Sequence, residues 1–268
     1  MITQLNPSIV SQFQSFTLSG LTFHGYGIII GLSICIASLL FIRLSPHSIR
    51  DHKHLIYLIA CTILLGTLGG RIGYAITHPS EFDSIIAILE IWNGGTTIFG
   101  VLCGGVAGVV IGHRMFRIPG SVVSVIDTAV PAVSIGQAIG RWANFVNQEL
   151  YGLPTTSSWG MYIEPKHRIP KYESTETFHP VFLYESVLMI ILAVILIPIL
   201  QKSRKDNNIG TATAVYFMGY GAIRLMMEQI RIDSIPYICG INLAEIVSFL
   251  SLMSGGILFY YVQRKHRK

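Results

Sequence analysis

The stretch Phe23–Ile42, FHGYGIIIGLSICIASLLFI, runs for twenty residues without a charged side chain. A helix needs about 20 predominantly apolar residues to cross the hydrocarbon core of a bilayer. The stretch Ile91–Gly112, IWNGGTTIFGVLCGGVAGVVIG, is also uncharged. Composition agrees with these two segments. Of 268 residues, 51% are hydrophobic and 12% charged, against about 25% charged in a soluble domain. The mean hydropathy is +0.56. Water cannot be the solvent for most of such a surface. The expected fold is an all-α polytopic integral membrane protein with about seven transmembrane helices. They fall near residues 23–43, 55–77, 91–112, 121–143, 181–200, 209–230 and 237–262.

Met1–Gly20 contains no Lys or Arg, whereas a secretory signal has a basic segment ahead of its apolar core. The first span therefore reads as a retained helix. Basic residues collect on alternate loops: Arg43, Arg50 and Lys53; Arg114 and Arg117; Lys202, Arg204 and Lys205; Arg264, Lys265, Arg267 and Lys268. The same segments hold only Asp51 and Asp206, and the second loop carries Glu81 and Asp83 without a basic residue. The positive-inside rule then places the N-terminus outside and the C-terminus in the cytoplasm. The net charge of +5 reports this topology and contact with anionic membrane lipids. It does not point to nucleic acid, since no Arg-rich groove with interleaved aromatics is visible.

The whole chain, 1–268, reads as a single transmembrane domain with a small extracytoplasmic cap at 144–180. Pro154, Pro165 and Pro170 forbid a long helix in that cap. Its aromatics, Tyr151, Trp159, Tyr162 and Tyr172, are expected on the membrane surface, and Trp92 and Trp142 in an interfacial belt. Gly100, Gly104, Gly108 and Gly112 recur every fourth residue, a small-residue stripe that lets helix backbones approach closely. Cys35, Cys61, Cys103 and Cys239 share no metal-ligand spacing and read as small buried hydrophobes. His24, His78 and His113 read as interfacial and structural.

Seven ionisable residues fall in or at the edge of the spans: Arg71, Asp127, Arg141, Glu185, Arg224, Glu228 and Glu245. Each costs about 2.5–3.5 kcal/mol at mid-bilayer on insertion scales, so such groups mark a pathway or site by default. Glu185 and Glu245 are expected instead to snorkel to the headgroups. Tyr220, Arg224 and Glu228 are four apart and share one helical face. The segment Gly140–Gly152, GRWANFVNQELYG, sets an Arg, two Asn and a Glu between glycines. Arg141 and Arg224, on separate helices near the outer face, form a ready clamp for phosphate, which guanidinium binds bidentately. A phospholipid headgroup is the phosphate available at that depth. Neither an oxygen-ligand cation cluster nor a zinc pattern is evident, and there is no phosphate-binding loop or nucleophile elbow. No metal or cofactor is expected.

Gly140–Gly152 closely resembles the signature of the bacterial prolipoprotein diacylglyceryl transferases, Gly-Arg-x-(Gly/Ala)-Asn-Phe-x-Asn-x-Glu-x-x-Gly, at every fixed position. Tyr26-Gly27, Gly70-Arg71-Ile72-Gly73-Tyr74, His179-Pro180 with Tyr184-Glu185, and Tyr220, Arg224, Glu228 and Arg231 resemble further motifs of that family, over roughly residues 20–260. The resemblance implies a seven-helix enzyme of the bacterial inner membrane. It would transfer the diacylglyceryl group of phosphatidylglycerol to the lipobox cysteine thiol of a preprolipoprotein, giving a thioether and glycerol 1-phosphate. Carried over residue by residue, Arg141 and Arg224 hold the lipid phosphate, and Tyr26, Asn144, Glu149 and Glu228 line the site. The candidate catalytic residues are Arg141, Arg224, Glu228 and Tyr26. The candidate substrate-binding residues are Arg141, Asn144, Asn147, Glu149, Arg71 and Tyr220. Two rivals are a transporter or channel for an anionic solute, disfavoured by the absence of an internal repeat, and a phosphatidyl transferase, which would want metal-binding aspartates where Asp127 stands alone.

One position departs from the family. After the Gly94-Gly95 pair its members commonly place His, or Tyr in some, where this chain has Phe99. Phe neither accepts a proton nor donates a hydrogen bond. The rest of the constellation is intact, so the chain is predicted to be active, with deprotonation falling to Glu149, Glu228 or Tyr26. A transfer assay on purified protein with phosphatidylglycerol and a lipobox peptide checks this: turnover by the unaltered chain is expected. No turnover, with activity gained in Phe99→His, would defeat the prediction.

Overall fold

Seven helices of 18 residues or more lie among the described residues: α1 Gly25–Leu44, α2 His52–Thr77, α3 Ile98–Met115, α4 Val122–Asn147, α5 Val181–Lys205, α6 Thr211–Glu228 and α7 Leu243–His266. They come from a computed structural model that describes residues 13–18, 21–46, 52–90, 94–232, 237–238 and 241–266. The expectations for Arg50, Asp51, Trp92, Cys239, Arg267 and Lys268 lie outside the described residues. Three two-stranded antiparallel pieces accompany the helices: β1 Ser15–Leu18 with β2 Leu21–His24, β3 Met161–Tyr162 with β4 Thr177–Phe178, and β5 Tyr237–Ile238 with β6 Ile241–Asn242. Six helices are long and apolar enough to cross a membrane. The chain is a multi-pass membrane protein of all-α class. The remaining helix, α6, forms within the span expected at 209–230, and it carries both Arg224 and Glu228.

Several span boundaries differ from expectation, two of them for identifiable reasons. The third span does not begin at residue 91. Gly94 and Gly95 have φ of 73° and 71°, a left-handed backbone that glycine adopts without steric cost. Helix α3 starts only after Thr97, whose side chain caps it by accepting from the Gly100 N–H at 3.3 Å. The fourth span runs past residue 143 to Asn147, so Arg141 and Asn144 sit on its last helical turns.

Residues Ile42–Ile126 form one compact unit. Its centre is the pair α2 and α3, and the glycine stripe explains the closeness of their contact. A Cβ on Gly100 would fall 2.1 Å from the Gly69 carbonyl oxygen, and one on Gly104 would fall 2.1 Å from that of Leu65. On Gly108 it would meet the Thr62 backbone at 2.6 Å. Cys103 faces outward among the apolar residues of α3, as Cys35 does on α1, so these two are not buried as expected; Cys61 is half-buried.

Met1–Phe41 and Asp127–Lys268 form the other unit. Asp127, unexplained by the sequence, has a structural task there. Its carboxylate is 3% exposed and accepts from the Gly210 N–H at 2.6 Å, the Thr213 N–H at 2.7 Å and the Thr213 hydroxyl at 2.6 Å. It thereby satisfies backbone donors that the first turn of α6 would otherwise leave open. Gly210, at φ 106°, supplies the left-handed turn before that helix.

The cap has its own core. Tyr151, Met161, Ile163, Phe178 and Phe182 are buried together, with Tyr172 packed against them. Tyr151 is therefore interior rather than on a membrane surface. Its hydroxyl donates to the His167 carbonyl at 2.8 Å and accepts from the Ile169 N–H at 2.9 Å. Tyr162 lies under the Arg168 guanidinium, 5.6 Å from its ring centre. Of the four cap aromatics, Trp159 is the one that stands exposed, with its indole donating to the Tyr184 hydroxyl at 2.9 Å.

Asp127→Ala removes the acceptor for three donors at the start of α6. It is predicted to destabilise the protein by about 2 kcal/mol, within the range of lost caps and unsatisfied buried donors. Thermal unfolding in detergent reads this as a lowered midpoint, and an unchanged midpoint would contradict it.

Candidate functional site

Helix α4 ends where its sequence turns from apolar to Asn-Gln-Glu. Gln148 and Leu150 adopt φ of 53° and 55°, which halts the helix. The Gln148 N–H donates to the Phe145 carbonyl at 3.1 Å and the Glu149 N–H to the Asn144 carbonyl at 3.0 Å. The same two residues meet again through their side chains, Asn144 Nδ2 donating to Glu149 Oε1 at 2.8 Å. Asn144 and Glu149 thus fix each other's orientation by two contacts. The Gln148 side chain accepts from the Glu164 N–H at 2.7 Å and ties the turn to the cap. Burial alone would raise the Glu164 carboxyl, but hydrogen bonds and charge from Lys166, Gln148 and His167 outweigh it and hold it below the usual carboxylate range.

The signature closes on Gly152 because three chain segments converge there. Gly152 N–H donates to the His179 carbonyl at 2.9 Å, and Leu153 N–H to that of Ile230 at 2.8 Å. A Cβ on Gly152 would lie 2.9 Å from the Ile230 oxygen and 3.0 Å from the His179 Cβ. This crossing ties the end of α4 to the start of α5 and the end of α6, the three helices that carry the charged cluster.

At the centre of that cluster is Glu185, on the first turns of α5. One carboxylate oxygen pairs with Arg141 Nε and the other with Arg224 Nη1. Arg224 Nη2 in turn contacts Glu228 Oε2 at 3.3 Å. Asn242 Nδ2 donates to the other Glu228 oxygen at 2.7 Å. Glu185 is 2% exposed. It does not snorkel to the headgroups as expected. An unpaired carboxylate so deeply buried would be costly, and the two guanidinium groups are what permit it. Glu245 lies in the first turn of α7, where a negative charge complements the helix dipole.

The two arginines differ in what they leave open. Arg224 spends Nη1 and Nη2 on carboxylates. Arg141 uses only Nε, and its side chain is 22% exposed. Its two terminal nitrogens have no hydrogen-bond partner among the described residues. They are donors available to an incoming anion. The Tyr26 hydroxyl, in the first turn of α1, is within electrostatic reach of both Arg141 and Glu149. Tyr220 stacks on Tyr216, with ring centres 5.9 Å apart. Tyr216 also reaches the Arg141 charge and donates to Gln137 at 3.0 Å.

Beside the α4 terminus lies an open cleft of about 530 Å³. Asn147, Glu149, His24 and His167 are among its lining residues. Tyr26, Arg141, Asn144, Asn147, Glu149, Tyr220, Arg224 and Glu228 therefore belong to one unit of the chain. Arg71 and Phe99 belong to the other. Arg71 is buried, and its guanidinium donates to the carbonyls of Ala87 at 2.8 Å, Ile88 at 3.2 Å and Gly95 at 3.1 Å, and also to that of Gly94. It pins the segment that leads into α3. Phe99 lies in the first turn of α3 with its ring exposed. Among the described residues no group of three or more His, Cys, Asp or Glu could hold a metal ion.

Sequence reasoning missed the bridging role of Glu185 and the support from Asn242. The available signal for Glu185 was its place in the Tyr184-Glu185 motif after His179-Pro180.

A family model described as prolipoprotein diacylglyceryl transferase matches residues 14–261. Similar proteins include the phosphatidylglycerol–prolipoprotein diacylglyceryl transferase of Parasynechococcus marenigrum, 31% identical over 264 residues, covering 94% of this chain and 94% of that protein. That of Synechocystis sp. is 32% identical over 272 residues, covering 95% and 93%. That of Synechococcus elongatus is 31% identical over 254 residues, covering 90% and 84%. Signature, helical architecture and these likenesses converge: the chain belongs to the prolipoprotein diacylglyceryl transferase family.

Proposed function

We propose that this chain transfers the diacylglyceryl group of phosphatidylglycerol to the lipobox cysteine thiol of a preprolipoprotein, forming a thioether and releasing glycerol 1-phosphate. It does so as an inner-membrane protein with its N-terminus outside and its C-terminus in the cytoplasm. The observation that carries this reading is Arg141: a guanidinium anchored through Nε to a buried carboxylate, with both terminal nitrogens open. Those nitrogens suit two phosphate oxygens in a planar, bidentate contact. Arg224 adds the second positive charge from α6 and is held in place by Glu185 and Glu228.

In the reaction the thiolate sulfur bonds to the glycerol carbon of the diacylglyceryl unit. The bond between that carbon and the phosphate oxygen breaks, and its electron pair stays on the phosphate. Negative charge therefore grows on the leaving phosphate as the bond breaks. Fixed donors aimed at that charge in a water-poor site lower the barrier without needing to reorganise. Asn144 and Glu149 hold each other at the edge of the cleft, and Asn147 lines it. These residues, with Tyr26 and Tyr220, contact the glycerol headgroup or the lipobox backbone. Arg71, which the family resemblance would set at the substrate, spends its guanidinium on the carbonyls of Ala87, Ile88 and Gly95.

Mass spectrometry of a lipobox peptide, incubated with the purified protein and phosphatidylglycerol, tests the reading. The peptide gains the mass of one diacylglyceryl unit. Arg141→Ala is predicted to abolish transfer while still inserting in the membrane, and normal turnover in that variant would remove the phosphate-clamp argument. No mass gain, with solute flux in protein-containing liposomes, would select a transporter instead.

A further inference from the structure

The reaction has a proton to place. A thiol is a poor nucleophile until it loses its proton. Several acidic and phenolic groups of the site are already committed. Glu185 has both oxygens on arginines. Glu228 has one oxygen on Arg224 and the other on Asn242. Glu149 holds Asn144 with Oε1. Tyr26 is a phenol, a base only above the physiological range.

Two imidazoles line the 530 Å³ cleft together with Glu149. His167 Nε2 faces Gln14 Nε2 at 3.4 Å, while the same amide donates to the Val146 carbonyl at 3.1 Å. An amide nitrogen is a donor only, so His167 Nε2 is occupied as its acceptor. His24 is different. It ends β2, directly before Gly25 and Tyr26, and its side chain is exposed to the cleft. It has no side-chain hydrogen-bond partner among the described residues. Its placement is enforced by its neighbour: a Cβ on Gly25 would lie 2.0 Å from the Phe13 carbonyl oxygen and 3.2 Å from Val146 on α4. Only glycine lets the Phe13 backbone, just ahead of β1, approach residue 25 this closely.

We propose that His24 is the base that takes the proton from the lipobox cysteine thiol in this chain. The inference rests on the transferase reading above. The thiol occupies the cleft between His24 and Glu149 and gives its proton to an imidazole nitrogen. The sulfur electron pair forms the bond to the glycerol carbon, and the broken carbon–oxygen bond leaves its pair on the phosphate. The imidazolium then returns the proton to water or to the departing glycerol phosphate, which restores the starting state. Glu149, fixed by Asn144, stabilises the imidazolium while it lasts. Imidazole is the side chain whose ordinary range makes it both unprotonated and basic near neutral pH.

The test measures the pH dependence of transfer by wild type, His24→Gln and His24→Ala in detergent, with phosphatidylglycerol and a lipobox peptide. Their thermal unfolding serves as a control for folding. A positioned base contributes about 10²–10⁴-fold, so both variants lose at least about 100-fold in kcat at neutral pH. KM for phosphatidylglycerol stays within about threefold, because the lipid phosphate contacts are untouched. The rise of the wild-type rate through the imidazole range disappears. The variants' rates follow the thiol's own ionisation instead, so their optimum moves alkaline. Added imidazole restores part of the His24→Ala rate. Variants that fold and keep the wild-type rate, or keep its acid limb, overturn the proposal while leaving the transferase reading standing. A wild-type protein that transfers nothing overturns both.

Discussion

One carboxylate shared by two arginines is the constraint on which the site depends. Glu185 on α5 receives Arg141 from α4 and Arg224 from α6. Removing such charges from water costs several kcal/mol per ion even after relaxation. That cost is met only if all three helices present their side chains together. The arrangement balances two positive against two negative charges once Glu228 is counted. It can stand without a ligand, yet it leaves the terminal nitrogens of Arg141 unspent. An arriving phosphate thus meets donors already oriented by a buried anchor, and needs no rearrangement of the cluster.

Much of the rest of this unit holds that triad in register. Asp127 at the start of α6 fixes where that helix begins, and hence where Arg224 falls along it. Gly152 joins the α4 terminus to the segments that precede α5 and follow α6. The cap carries its own apolar core around Phe178, so the turn after Asn147 is backed by packed structure rather than by a mobile loop. Asn144 and Glu149, with main-chain and side-chain bonds between them, need glycine-like backbone only at Gln148 and Leu150.

The parts that local pattern controls were readable from the sequence. Uncharged runs announced the spans, and the four-residue glycine repeat announced a close helix contact without naming its partner, which is α2, where Leu65 meets Gly104. The signature located Arg141, Asn144 and Glu149 because its residues are contiguous. What depended on tertiary partners was not readable. Glu185 has no charged neighbour in sequence that reveals its pairing, so a snorkelling carboxylate was the natural expectation. Asp127 looked like a stray charge because its donors lie 83 and 86 residues away. Tyr151 looked interfacial because the cap core that buries it is assembled from residues 151–182. His24 looked structural because nothing in the sequence shows that a cleft opens beside it.

Glu185 acts through the arginines it bridges. A double-mutant cycle on kcat/KM for diacylglyceryl transfer, using Glu185→Gln, Arg224→Lys and the double variant, measures this directly. Residues in one buried ionic network couple by about 0.5–3 kcal/mol. Each single variant is expected to slow transfer, and the double variant to lose clearly less than the two losses combined. Losses that simply add would mean that Glu185 and Arg224 act independently, and the shared carboxylate would no longer be the organising element of the site.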